Sequence, residues 1–380
     1  MKPLSQTSTS IIFFFLVLVG LTNCQQKTQE NEEDPVTQII EIQIDSLLSE
    51  PEFKALSMAV WTNGKVHTFH KGQLADGKVP NDQTLYEIAS LTKTFTGTLL
   101  AQAIHDKKVA IDDDIRTVLT DSLPNLEYEG QPITFRHLVT HTSRLPDMFP
   151  HQPEIFNNPD FDKLPFVIND LQKNFTKEQF FSELQKVTLD TLSGHQFKYS
   201  NAGANLLGYC LEEIYGKPYE ELLKQYIFEP LQMTNTAIQL SEEQQKHLAQ
   251  GFNHNGKEMP FYTNKQMNAE GGIKSTLDDM VKYMQFHADT TNAIVKISHQ
   301  ELWNGKYGDY ESGLFWQIFK DGDKPDQFFQ NGGAFGTSSW MTIVPELQTG
   351  VYAVTNVSGP NVHQKMSDRV KMIFETLKNK

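Results

Sequence analysis

The sequence predicts an α+β fold: one antiparallel sheet built from both ends of the chain and flanked by helices, with a mostly helical region of about residues 126–260 inserted between them. Three observations predict it. Ala55–Trp61 and Val66–Phe69 flank Asn63-Gly64, a two-residue hairpin signal because both positions tolerate positive φ. Strand signals return only beyond about residue 265, in Ser339–Val344 and Val351–Val354. Between the two ends, apolar residues such as Leu206, Leu207, Cys210, Leu211 and Ile214 recur at helical spacing. Strands at both ends pair most simply in a single sheet, and the cleft between sheet and helical half is the default place for a site.

The chain opens with a segment outside this fold. Lys2 supplies a small positive region, and Ile11–Val19 is an unbroken apolar run of nine residues. A bilayer-spanning helix needs about 20, so residues 1–23 read as a lipoprotein-type signal peptide rather than a membrane span. Leu21-Thr22-Asn23-Cys24 is similar to a bacterial lipoprotein cleavage box, with Cys24 as the lipidated first residue. Asn23 departs from the small residue usual before the cysteine. Residues 24–37 are polar and acidic and are expected to form a flexible tether, leaving 38–380 as the folded domain. The implied location is outside the cytoplasm, periplasmic or at the cell surface, with the lipid bilayer as a partner through Cys24.

Composition narrows the function. Hydrophobic residues make up 38% of the chain and aromatics 11%, enough for a globular core. The net charge is −14 and no block of Lys or Arg occurs. Nucleic acid is therefore excluded as a partner, since its binders concentrate basic charge against phosphates. Besides Cys24 there is only Cys210, within an apolar helical stretch, so no disulfide is expected in the folded domain. Met366, Val370, Ile373 and Leu377 close the chain as an amphipathic helix.

Three stretches carry chemistry. The first is Ser90-Leu91-Thr92-Lys93, opening a helix over residues 91–105 whose buried face is Phe95, Leu99, Leu100, Ala103 and Ile104. At a helix start, free backbone N–H groups and the helix dipole favour a developing oxyanion. Lys93 lies one turn on, on the same face as Ser90. An alcohol needs a base to become a nucleophile, and a desolvated lysine can serve. The second is Tyr199-Ser200-Asn201, in a loop before a helix. Its phenol can relay a proton and its amide can hold a substrate carbonyl or amide. The third is Gln330-Asn331-Gly332-Gly333, read as a Gly-rich turn beside the strand from Ser339. There a substrate can approach the backbone closely.

In this order and with these flanks, the three stretches resemble the class C β-lactamase-type serine hydrolase family, which also holds D,D-peptidases and esterases. Ile133–Ser143, Phe197–Gly208 and Gly271–Thr276 extend the resemblance to about residues 55–375. It implies a β-lactamase/transpeptidase-like fold and no cofactor. It implies that Ser90 is acylated, that Lys93 and Tyr199 share proton transfer, and that Asn201 holds the substrate amide. The N–H groups of Ser90 and Gly333 would form the oxyanion hole, with Gln330, Asn331 and Gly332 beside it. The substrate would be a small molecule or peptide, with peptidoglycan among the candidates.

Two positions depart from the family pattern. Gln330 stands where Lys or His is usual, so preference for uncharged over carboxylate-bearing substrates is expected. Arg144 stands where Gly is usual, within His141-Thr142-Ser143-Arg144. Both favour an alternative: a non-catalytic, cell-wall-binding lipoprotein that keeps the fold. A metalloenzyme is the weaker rival. His137 and His141 are four apart, but Leu138 stands where H-E-x-x-H needs glutamate, so no metal site is expected. The absence of G-x-S-x-G excludes an α/β-hydrolase.

Overall fold

The computed structural model describes Met1 and residues 34–307 and 310–377. Cys24 and the apolar run before it lie outside the described residues.

The expected sheet is present. Strands β1 (Ala55–Thr62) and β2 (Lys65–Gly72) form the predicted hairpin, with Asn63 and Gly64 at φ 51° and 74°. From the far end come β3 (Trp303–Tyr307), β4 (Tyr310–Ser312), β5 (Gln317–Phe319), β6 (Gln327–Gly333), β7 (Ser338–Val344) and β8 (Thr349–Thr355). The order is β2-β1-β8-β7-β6-β5-β4-β3, antiparallel throughout, so the two ends of the chain meet between β1 and β8. The register there runs from Leu56 opposite Thr355 to Trp61 opposite Gly350. All of β1 is buried, as a central strand covered on both faces should be.

Period-two alternation divides the core. Leu56, Met58 and Val60 face one layer, formed by α1 (Pro35–Leu48) and α11 (Val362–Leu377). Ala59 and Trp61 face the other, which includes α2 (Thr92–His105) and α9 (Leu277–Ala288). Helix α1 corrects the tether boundary. Asp34 Oδ1 accepts the Val36 N–H at 3.0 Å and Pro35 takes the first helical position, so the helix starts inside the segment read as flexible. Asp-Pro is a cap signature, and Ile40, Ile44 and Leu47 bury the resulting face.

The inserted region holds α3 (Phe135–Val139), α4 (Leu164–Gln172), α5 (Lys177–Leu184), α6 (Asn201–Tyr215), α7 (Tyr219–Leu223) and α8 (Glu242–Gln245), with α10 (Ala293–Ser298) following α9. "Mostly helical" overstates it, because long irregular stretches separate these helices. Pro146, Pro150 and Pro153 lack N–H groups and interrupt regular structure. The stretch between α3 and α4 bonds across to α6, where the Asp147 carbonyl accepts the N–H groups of Asn201 (2.7 Å) and Ala202 (3.0 Å). Those stretches form the cleft wall.

Candidate active site

Ser90 follows a strained residue. Ala89 sits at φ 52°, a conformation L side chains avoid, at the head of the single 3₁₀ turn Ala89–Leu91 that runs into α2. The surroundings hold it there. Thr337 Oγ1 donates to Glu87 O at 2.9 Å, and Ser339 Oγ donates to Ile88 O at 2.9 Å, so β7 and the turn before it grip the backbone just ahead of the nucleophile.

Lys93 reaches Ser90 from one turn along α2, fully buried. Its Nζ donates to Ser90 Oγ at 3.0 Å, Asn201 Oδ1 at 2.7 Å and Glu270 O at 2.6 Å. An ammonium has three protons, and each has an acceptor. The Glu270 carbonyl was not legible beforehand, although it immediately precedes Gly271–Thr276, one of the stretches that carried the resemblance.

Tyr199 and Asn201 are set by the start of α6. Ser200 caps that helix, its Oγ accepting Gly203 N–H at 2.8 Å and donating to Pro146 O at 2.6 Å. Tyr199, just before the cap, brings its hydroxyl to 2.7 Å from Ser90 Oγ. Asn201, just after it, accepts Lys93 through Oδ1 and donates through Nδ2 to Asp147 Oδ1 at 3.2 Å.

Gly332 and Gly333 end strand β6 rather than forming a turn beside it. A side chain at Gly332 would place Cβ 2.1 Å from Ile88 O, so only glycine lets β6 pass the nucleophile's turn. Gly333 and Ser90 line one cavity of about 270 Å³, with Asn201, Asp147, Tyr262 and Phe335. Asn331 lines a second, of about 390 Å³, with Tyr199, His141, Phe315, Trp340 and His363. A cavity of about 410 Å³ between Lys177, Glu212 and Asn268 contains none of these groups.

Gln330 lines the 390 Å³ cavity while directing much of its amide to the protein. Its Oε1 accepts Gln317 Nε2 (3.1 Å) and Asn331 N–H (3.0 Å), and its Nε2 donates to Phe315 O at 2.7 Å. The residue is buried, and both acceptor lone pairs are spent on the protein.

The Arg144 departure is accommodated. Arg144 adopts φ 67°, the left-handed conformation a glycine would take, and its guanidinium forks onto Asp190 at 2.9 and 2.7 Å. That pair holds the Asp190 carboxyl down to about 2. His137 and His141 have separate local tasks. His137 Nδ1 accepts Thr134 N–H at 3.1 Å to cap α3, and His141 Nδ1 accepts Ser200 N–H at 3.2 Å. Burial holds the His141 imidazole neutral, well below its ordinary range.

A family model, Beta-lactamase, matches residues 43–373. The chain belongs to the β-lactamase family. Its fold is therefore the serine β-lactamase/transpeptidase type, and its class is that of the serine hydrolases. Among β-lactamase family relatives, a β-lactamase of Providencia stuartii is 27% identical, over 72% of this chain and 65% of that protein. The D-alanyl-D-alanine-carboxypeptidase/endopeptidase AmpH of Escherichia coli K12 is 27% identical, over 78% of this chain and 77% of its own. A solved β-lactamase/D-alanine carboxypeptidase of Yersinia pestis, crystallised with citrate, superposes with a TM-score of 0.74. It is 25% identical, over 90% of this chain and 98% of that one.

Two carboxylates near the nucleophile escaped the sequence reading. Asp147 and Glu270 both line the cavity that holds Ser90. Burial raises both carboxyls above their ordinary range, with Lys93 pulling each the other way. Asp147 adjoins Pro146 in an irregular stretch without helical or strand periodicity, so no pattern marked it.

Proposed function

We propose that the chain is an exported serine hydrolase that cleaves an amide or ester bond through an acyl-serine intermediate, with Ser90 as nucleophile. One observation carries this reading: Ser90 Oγ lies within hydrogen-bonding distance of both Tyr199 Oη and Lys93 Nζ. With Lys93 donating to Ser90 Oγ, the short Ser90–Tyr199 bond gives the serine's proton a path to the tyrosine oxygen. Tyr199 is then the general base, and Lys93 Nζ stands 4.9 Å from the centre of its ring.

In the first step the Ser90 proton passes to Tyr199 as Oγ bonds to the substrate carbonyl carbon. The N–H groups of Ser90 and Gly333 stabilise the oxyanion. The intermediate collapses, the carbonyl–leaving-group bond breaks, and Tyr199 returns the proton to the leaving group. Water then releases the acyl group by the same steps in reverse order of partners. Asn201, held by Lys93 and Asp147, presents its amide to the acyl part.

The relatives' names support β-lactams and D-alanyl peptides as candidate substrates. Among the described residues no Lys or Arg lines the 390 Å³ cavity beside Tyr199, which supports a preference for leaving groups without a carboxylate. Arg144, one of the two departures that favour a non-catalytic protein, keeps the loop conformation a glycine would give. Export and lipid anchoring at Cys24 rest on the apolar run and cleavage box alone.

Intact mass spectrometry after exposure to a fluorophosphonate tests the assignment. One adduct mapping to Ser90 is expected, and none in Ser90→Ala; labelling that survives the substitution would sink it.

A further inference from the structure

The cavity holding Ser90 has an uneven charge. Asp147 and Glu270 bring carboxylates to its lining; among the described residues no Lys or Arg side chain lines it, although Lys93 behind the wall acts on both carboxyls and Lys198 on Asp147. The two carboxylates are not equivalent. Glu270 is buried, and its Oε1 accepts the Tyr262 hydroxyl at 2.9 Å. Asp147 opens on the cleft. Its Oδ1 accepts Asn201 Nδ2 at 3.2 Å, the Asn201 backbone N–H also lies close to the carboxyl, and among the described residues no second side-chain donor reaches it.

The Asn201 bond fixes this carboxylate beside the group expected to hold the substrate's amide. Around it the walls are apolar: Met148, Phe156, Ile168 and Phe335. A carboxylate with an unspent lone pair in a partly desolvated, apolar-walled cleft favours a cationic hydrogen-bond donor and disfavours an anionic one. At about 270 Å³ the cavity suits a compact group.

We infer that Asp147 is a specificity-determining residue that binds an ammonium group on the acyl part of the substrate, so that the preferred acyl donors are amine-bearing acyl groups with an apolar side chain, as in α-aminoacyl amides and esters. The inference rests on the hydrolase reading above. The ammonium donates to the Asp147 carboxylate, the apolar side chain lies against Phe156, Ile168 and Phe335, and the carbonyl carbon faces Ser90. A carboxylate-bearing acyl group is repelled by the same residue.

Reversible boronic acids test this without requiring turnover, because the boron atom accepts a bond from Ser90 Oγ. Three probes are compared: (1-amino-2-phenylethyl)boronic acid as both enantiomers, its N-acetyl derivative, and 2-phenylethylboronic acid. Each is measured by how far it slows fluorophosphonate labelling of Ser90 in the full-length protein. The expected result is that one enantiomer of the free amine inhibits at least about tenfold more tightly than the other two probes. In Asp147→Asn that preference falls to about unity. The comparison is read as a ratio within each protein, since Asp147 also supports Asn201. N-acetylation removes the charge in the wild-type protein, so the test stands even where the variant folds poorly. Equal inhibition by the amine and des-amino probes, or a preference that survives in a folded Asp147→Asn, overturns the inference and leaves the hydrolase reading intact. Absence of any Ser90 labelling overturns both.

Discussion

Gly332→Ala is the most direct probe of how the sheet positions the nucleophile. A Cβ at this position stands 2.1 Å from Ile88 O and 2.7 Å from Ser339 Oγ, whereas an ordinary van der Waals contact begins near 3.4 Å. About 1 Å must be found somewhere, and the obstruction is backbone. The Ile88 carbonyl also accepts the Ser339 hydroxyl at 2.9 Å, and Ala89 beside it is already held at φ 52°. The strand and the turn must therefore part, and Ser90 moves with the turn. Overpacking of this kind costs about 1–3 kcal/mol of stability. A 1 Å misplacement of reacting groups costs about 100-fold in rate. The assay is the second-order rate constant for fluorophosphonate labelling, measured beside thermal unfolding. Gly333→Ala is the control, because its Cβ meets only the His363 ring, at 3.0 Å, and that side chain can yield. A large loss is expected in Gly332→Ala and a much smaller one in Gly333→Ala. Labelling of Gly332→Ala at the wild-type rate, or equal losses in both variants, would refute the reasoning.

Three further outcomes are expected. Lys93→Ala and Tyr199→Phe should each remove most of the labelling rate, and the double variant should lose little more, because groups acting on one proton are non-additive; multiplicative losses would contradict a shared role. Stability should fall as pH drops below about 6.5. His287 is buried and His299 half-buried, with ring nitrogens 3.2 Å apart, and desolvation pushes His287 well below its ordinary range and His299 down to about 3. A depressed histidine contributes fully above its unfolded pKa of about 6.5 and loses about 1.4 kcal/mol per pH unit below it until its folded-state pKa is reached. Urea unfolding across this range measures it, and a flat profile in wild type that matches a His287→Gln, His299→Gln variant would count against it. Finally, Cys24→Ala should release the protein from the membrane fraction on centrifugation, since stable anchoring needs more than one acyl chain on that residue; unchanged fractionation would argue against lipidation.

Much of this protein is readable from residue order because the signals are local. Asn63-Gly64 dictates a hairpin wherever it stands between strand-forming runs, and Met366, Val370, Ile373 and Leu377 mark a buried helix face by spacing alone. Ser90 and Lys93 share a face because a helix turns once in 3.6 residues. Other features were not legible for an equally physical reason. Gln330 reads as a polar residue in a substrate groove, and the fold also brings Phe315 O and Gln317 to its amide. Arg144 reads as a defect until Asp190, 46 residues away in sequence, is placed opposite its guanidinium. Asp147 carries no motif and matters only because the cap of α6 carries Asn201 to its side. Periodicity and turn chemistry are properties of neighbours along the chain, and the sequence alone determines them. Which donor meets which acceptor across a cleft depends on chain crossings hundreds of residues apart, and only the tertiary structure decides it.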